Sequence, residues 1–505
     1  MALARGWSVA LLGVDGHVVE VEADLASGLP GLSLVGLPDA ALNEARDRVR
    51  AAVHNSNLTW PNQRITVGLS PASLPKAGSA FDLAIAAAVL GAHGQVPAER
   101  VAERVLLGEL GLDGRVRATR GVLPAVLAAV RAGWERVVVP AANTAEAALV
   151  PGVQICGVAR LSELVAVLRG ESAGSVVPEP GAGREEPGPD LADVLGQDFG
   201  RLALEVAAAG GHHVFLHGPP GAGKTMLASR LPGLLPALTD DEALEVSAVR
   251  SLVGLLEPGS PLVRRAPFRA PHHSATLPAL VGGGGRILRP GAVSLAHRGV
   301  LFLDEAPEFR SGVIDALRQP LENGFVDIAR ASGTARFPAR FQLVLAANPC
   351  PAACADELSC ACPSLARRRY LGRLSGALLD RVDLRVKVLP VPRSALLDAA
   401  ASGEPTEAVR RRVVAARAAA ADRWARTTWH RNADVPGAAL RNRFRLPRQV
   451  LTPIVTALDR GQLSARGHDR VLRVSWTLAD LAGRSVPAAD DVRVALQLRA
   501  LGQAA

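Results

Sequence analysis

His213-Val-Phe-Leu-His-Gly218-Pro-Pro-Gly-Ala-Gly-Lys224-Thr225 is the stretch on which the reading of this chain turns. An apolar run breaks into a glycine-rich turn that ends on a lysine. Lysine is scarce here: the 505 residues carry it only at Lys76, Lys224 and Lys387. Without Cβ atoms at Gly218, Gly221 and Gly223, backbone N–H groups can turn inward around phosphate oxygens, and a helix starting near Lys224 adds the positive end of its dipole. The spacing G-x-x-x-x-G-K-[ST] assigns Gly218, Pro219, Pro220, Gly221, Ala222, Gly223, Lys224 and Thr225 to an ATP site. In it Lys224 reaches the β- and γ-phosphates and Thr225 ligates Mg²⁺. The plain alternative, a glycine turn before a helix, explains neither the lysine nor the strand in front of it.

Such a site needs carboxylates at the end of a neighbouring strand. Gly299-Val-Leu-Phe-Leu-Asp304-Glu305 supplies them, Asp304 for the Mg²⁺ shell and Glu305 as general base for the attacking water. A further apolar run ends in Leu345-Ala-Ala-Asn348-Pro, which puts a neutral amide where it can orient that water, unless Asn348 only initiates the turn before Pro349. P-loop, acidic pair and polar strand end, in this order, fit an AAA+ ATPase.

Around this core the length predicts about three domains. Residues 1–168 mix β-like runs (18–21, 64–69, 136–140) with Ala-rich helical stretches (39–54, 82–91, 123–132), an α+β pattern. Residues 169–189, rich in Gly, Pro, Ser and Glu, form a linker. Residues 190–390 alternate apolar strands and helices as a parallel α/β sheet requires, and 391–505 read as helices only, at 407–427, 448–459, 469–483 and 489–501. The fold class is therefore multidomain α/β. There is no uninterrupted apolar stretch of about 18 residues and no secretory cleavage pattern, so the expectation is a cytoplasmic protein with no membrane partner. A formal charge of +9 favours anionic partners such as nucleic acid.

Longer strings carry a resemblance that runs nearly end to end. Gly28-Leu-Pro-Gly-Leu-Ser-Leu-Val-Gly-Leu-Pro-Asp39, Leu74-Pro-Lys-Ala-Gly78, Ala207-Ala-Ala-Gly-Gly-His212, Pro267-Phe-Arg-Ala-Pro-His-His-Ser274, Ser294 to Glu305 and Leu374-Ser-Gly-Ala-Leu-Leu-Asp-Arg-Val-Asp383 resemble the magnesium-chelatase-like AAA+ ATPases of the YifB/ComM family. The resemblance implies a ring-forming homo-oligomer, expected to be a hexamer, with ComM members acting as branch-migration helicases on single-stranded or branched DNA. A chelatase-type motor that remodels a protein partner is the alternative. It also implies that Arg381 is an arginine finger for a neighbouring subunit's γ-phosphate and Arg466 the sensor arginine of a C-terminal helical lid. The first domain resembles the Lon-protease-like (S5-like) fold, but the nucleophile position falls on Ala80, one residue past Ser79, and the lysine position near Leu123. No Ser-Lys dyad is expected, and no peptidase activity.

Four further constellations stand out. Cys350, Cys354, Cys360 and Cys362 crowd together after Asn348; Zn²⁺ and a free-thiol loop both fit this spacing. His272 and His273 make a poor metal pair, and contact with DNA, a pore-loop role or an ordinary loop role is expected instead. Residues 322–341 read as a hairpin around Ala331-Ser-Gly333 whose Arg330 and Arg336 are placed to meet DNA in a ring's channel, with a solvated surface hairpin as the alternative. The Arg-rich segment 410–448, with Trp424, Trp429 and Phe444, reads first as a charged helix face and second as a nucleic-acid contact.

Overall fold

The structure, a computed structural model, describes residues 2–36, 42, 44–76, 78–174, 188–256, 262–284, 288–330, 333–354, 360–391 and 403–499. Most of the linker expected at 169–189 lies outside these residues, as do Asp39, Ala77 and the hairpin turn at 331–332.

The N-terminal part is a seven-stranded mixed sheet. Its order is Gly31–Val35, Arg64–Ser70, Asp15–Ala26, Ala2–Leu12, Val105–Leu106, Arg136–Pro140, Gln154–Val158. Asp15–Ala26 alternates outward and inward side chains, as a strand with one covered face must. The helix Asp82–Ala92 is apolar on every side because it is buried on every side. Its one charged residue, Asp82, is fully buried and accepts from both Arg48 Nε at 2.8 Å and Arg48 Nη2 at 3.0 Å.

The second sheet is entirely parallel, in the order Phe268–Arg269, Val300–Leu303, Gln342–Ala347, Val214–His217, Leu384–Lys387. Burial on both faces explains why Val300–Leu303 and Gln342–Ala347 read as continuous apolar runs instead of alternating ones. Parallel strands all send their following loops out at one edge of the sheet, where an α/β protein gathers its ligands. Asp190 anchors the start of this part, its Oδ1 accepting from the N–H groups of Ala192 and Thr406.

The helices beyond residue 403 are Thr406–Trp424, Arg448–Asp459, Ala465–Leu481 and Ala489–Gln497, with shorter turns between. Ala465–Leu481 starts four residues before the expected 469, because Ser464 caps it by accepting from Gly467 N–H at 3.1 Å. Trp424 is fully buried, with Phe444, Trp429 and Trp476 edge-on to it at ring distances of 4.6, 5.9 and 6.1 Å. Trp424 is thus core, and Trp429 and Phe444 are packed against it. That cluster is continuous with the parallel sheet through Val214, Leu384 and the helix Asp198–Gly210.

Candidate functional site

The P-loop sits where the strand Val214–His217 gives way to the helix Lys224–Leu234. Gly221 and Gly223 have φ of +73° and +93°, the left-handed region that suits glycine and turns successive N–H groups into one concavity. Lys224 is buried and held taut, its Nζ donating to the carbonyls of Gly218 and Pro219 at 2.8 Å each and to Asn348 Oδ1 at 3.0 Å. Burial lowers its pKa, while Asp304 and Glu305 act the other way. Gln197 braces the loop from below, donating to the carbonyls of Ala222 and Leu389.

The acidic pair emerges from the next strand but one. Thr225 Oγ1 donates to Asp304 Oδ2 at 2.7 Å, so the two side chains assigned to Mg²⁺ from sequence are already in contact. Two oxygens side by side, one of them anionic, are the hard donors that Mg²⁺ prefers. Glu305 takes φ of +48°, uncommon for a residue with a side chain and worth of order 1–3 kcal/mol of strain. Its N–H donates to Asp304 Oδ1 at 2.9 Å, which helps hold that conformation.

Three family descriptions match in tandem: "Magnesium chelatase, subunit ChlI" over residues 190–396, "Subunit ChlI of Mg-chelatase" over 21–143 and "Magnesium chelatase, subunit ChlI C-terminal" over 403–499. An uncharacterized protein of Mycobacterium tuberculosis is 57% identical, with 99% of both chains covered. Competence protein ComM of Haemophilus influenzae is 42% identical over 96% of this chain and 94% of its own. YifB of Escherichia coli is 40% identical over 99% and 98%. The chain belongs to the magnesium-chelatase-like YifB/ComM family. It is an AAA+ ATPase.

In this YifB/ComM chain, tertiary structure adds a residue beside Glu305. His273 Nδ1 lies 3.1 Å from Glu305 Oε2, and the His272 and His273 rings are 4.1 Å apart. Both histidines lie in the loop that follows Phe268–Arg269. The signal that would have found the contact is topological: Phe268–Arg269 pairs in parallel with Val300–Leu301, so the loops after both strands leave at the same edge.

Arg381 and Arg466 each pair with an acidic residue outside the P-loop. Arg381 pairs with Glu322, and Arg466, 76% exposed at its side chain, donates to Asp380 Oδ2 at 2.8 Å. Asp383, the last residue of the same Asp-Arg-Val-Asp string, turns inward instead. It meets His212 Nδ1 at 3.1 Å and Arg470 Nη1 at 2.9 Å, and His212 Nε2 reaches Thr477 Oγ1 at 2.8 Å. Two strings that carry the family resemblance thus meet on the helix Ala465–Leu481.

The hairpin forms as expected, Phe325–Arg330 against Gly333–Pro338. Arg336 is not free: its Nε and Nη2 donate to the two carboxylate oxygens of Asp327 at 2.8 and 3.0 Å, and its guanidinium lies 4.0 Å from the Phe325 ring centroid. Gly13 of the N-terminal sheet bridges to the Arg336 backbone, so closely that a Cβ there would meet the Arg336 carbonyl oxygen at 2.4 Å. In the N-terminal part Lys76 is buried with its Nζ on the Pro71 carbonyl, and the Ser79 hydroxyl donates to Glu109.

Proposed function

We propose that this chain is an ATP-driven, ring-forming motor on single-stranded or branched DNA, a branch-migration helicase of the ComM type working as a homo-hexamer. The observation that carries the ATP half is the convergence of Lys224, Thr225, Asp304 and Asn348 through direct hydrogen bonds. Thr225 and Asp304 would hold Mg²⁺, which when bound would neutralise charge on the β- and γ-phosphate oxygens. Lys224 binds those oxygens, Asn348 orients the water, and Glu305 accepts its proton after exchanging His273 for that water. The helices beyond residue 403 act as the lid that carries Arg466. The N-terminal part takes the Lon-protease-like fold without its dyad, a reading supported by Ala80 at the nucleophile position and Leu123 near the lysine position.

Arg381 is the finger in trans. A mixture of Arg381→Ala and Lys224→Ala subunits is expected to regain ATPase that neither has alone, because one interface type then keeps both intact halves. Mixed rings that stay inactive at every ratio refute this role.

The DNA half is supported by the relative named as a competence protein and by the net charge of +9. Arg330→Ala with Arg336→Ala should remove DNA stimulation of the ATPase and leave the basal rate near wild type. Binding should weaken steeply with salt, as counterion release requires. The protein-remodelling reading has one observation in its favour: Asp327 already neutralises Arg336, so a phosphate has to displace a carboxylate. Wild-type ATPase that no DNA stimulates at low salt decides for it.

A further inference from the structure

The four cysteines after the Asn348 strand are the constellation that the ATP and DNA readings leave unused. Their sulfur atoms all lie within 4.8 Å of one another, although Cys350 and Cys362 are twelve positions apart in the chain. All four are free thiols, Cys350 buried and the others half-buried. A tetrahedral Zn²⁺ with Zn–S bonds of about 2.3 Å sets its sulfurs about 3.8 Å apart, within that span. A disulfide brings a pair to about 2.05 Å and leaves the other thiols nothing to gather around.

The backbone has been bent to make the cluster. Ala353 takes φ of +50°, a left-handed conformation that a residue with a Cβ adopts only when its surroundings over-determine it. Its effect is to turn the Cys354 N–H onto Cys350 Sγ at 3.3 Å, the kind of N–H···S bond that steadies a metal-bound thiolate from outside the coordination shell.

We propose that Cys350, Cys354, Cys360 and Cys362 hold one structural Zn²⁺ in a closed tetrathiolate site. No position is left open for water, so the ion does no chemistry of its own. Its place in the fold gives it a mechanical task. On one side Cys350 follows Asn348 by two residues. On the other, Cys362 leads into the helix Ser364–Leu371, whose Tyr370 side chain lies against the backbone of Asn348. The metal closes this excursion into a loop and holds Asn348 from both ends.

The site goes beyond the ATP and DNA readings, and its test is independent of them. Full-length protein purified with reductant and without chelator should carry about one Zn²⁺ per chain, released by a mercurial thiol reagent and read with a metallochromic dye. Growth with Co²⁺ should give a coloured protein with thiolate-to-cobalt charge-transfer bands. Cys350→Ser with Cys362→Ser should drop the metal at least tenfold. Because that variant can misfold, the wild type decides. Metal below about 0.1 per chain after Zn²⁺ incubation and desalting, iron in place of zinc, or disulfides under non-reducing mass analysis would each overturn the proposal.

Discussion

Lys224→Ala should lose ATP binding by about 100-fold or more, whereas Glu305→Gln should bind ATP as the wild type does and lose turnover by about 100- to 10,000-fold. The two variants separate because the two side chains act at different stages. Lys224 offers charge-assisted hydrogen bonds worth about 1.5–3 kcal/mol each to the ground-state phosphates, and three protein oxygens already hold its Nζ in place, so little rotamer freedom is lost on binding. Glu305 stands beside Asp304 with a proton to accept only when water attacks. Nucleotide binding followed by fluorescence and phosphate release measured on the same preparations test both. Turnover in Glu305→Gln within a few-fold of wild type would remove it as the base.

Asp383→Ala should unfold the junction between the parallel sheet and the C-terminal helices. Asp383 is 1% exposed and paired with Arg470 and His212, so truncation leaves a guanidinium facing an uncompensated gap. Removing one partner of such a buried pair costs about 3–5 kcal/mol. Burial by itself would raise the Asp383 pKa; the Arg470 charge and the hydrogen bond from His212 outweigh it and hold the carboxyl well below its usual range. A depressed folded pKa contributes stability above the unfolded value, about 3.9, and that stability is lost as pH falls below it. The urea midpoint reported by tryptophan fluorescence, with Trp424 and Trp476 in this region, should therefore fall in the variant at pH 7. The gap between variant and wild type should narrow as pH drops below about 4. An unchanged midpoint at pH 7 would show that the pair holds nothing together.

The two predictions differ in where their residues became visible. Lys224, Thr225, Asp304, Glu305 and Asn348 were legible as letters because each sits at the end of a strand or the start of a helix whose pattern is local. A phosphate cradle needs consecutive backbone groups, and consecutive residues share one string. The parallel sheet was legible for the same reason, since strands covered on both faces must be apolar throughout. Asp383 ends the string Asp-Arg-Val-Asp, and nothing local says that it points inward while Asp380, three residues earlier, points out to Arg466.

The amino-acid sequence by itself determined the P-loop motif, the order in which strand, glycine turn and acidic pair follow one another, and the family, because these depend on short-range spacing and on burial periodicity. Only the tertiary structure decided that His273 meets Glu305, that Asp327 neutralises Arg336, that Trp424 is core, and that His212, Asp383 and Arg470 form one buried cluster. Only it gathered four thiols within 4.8 Å. The four ion pairs among them join different strands, helices or loops, His212 and Asp383 being 171 residues apart. Their energies come from desolvation and charge pairing, which depend on what the fold packs against a side chain and not on its neighbours in the chain.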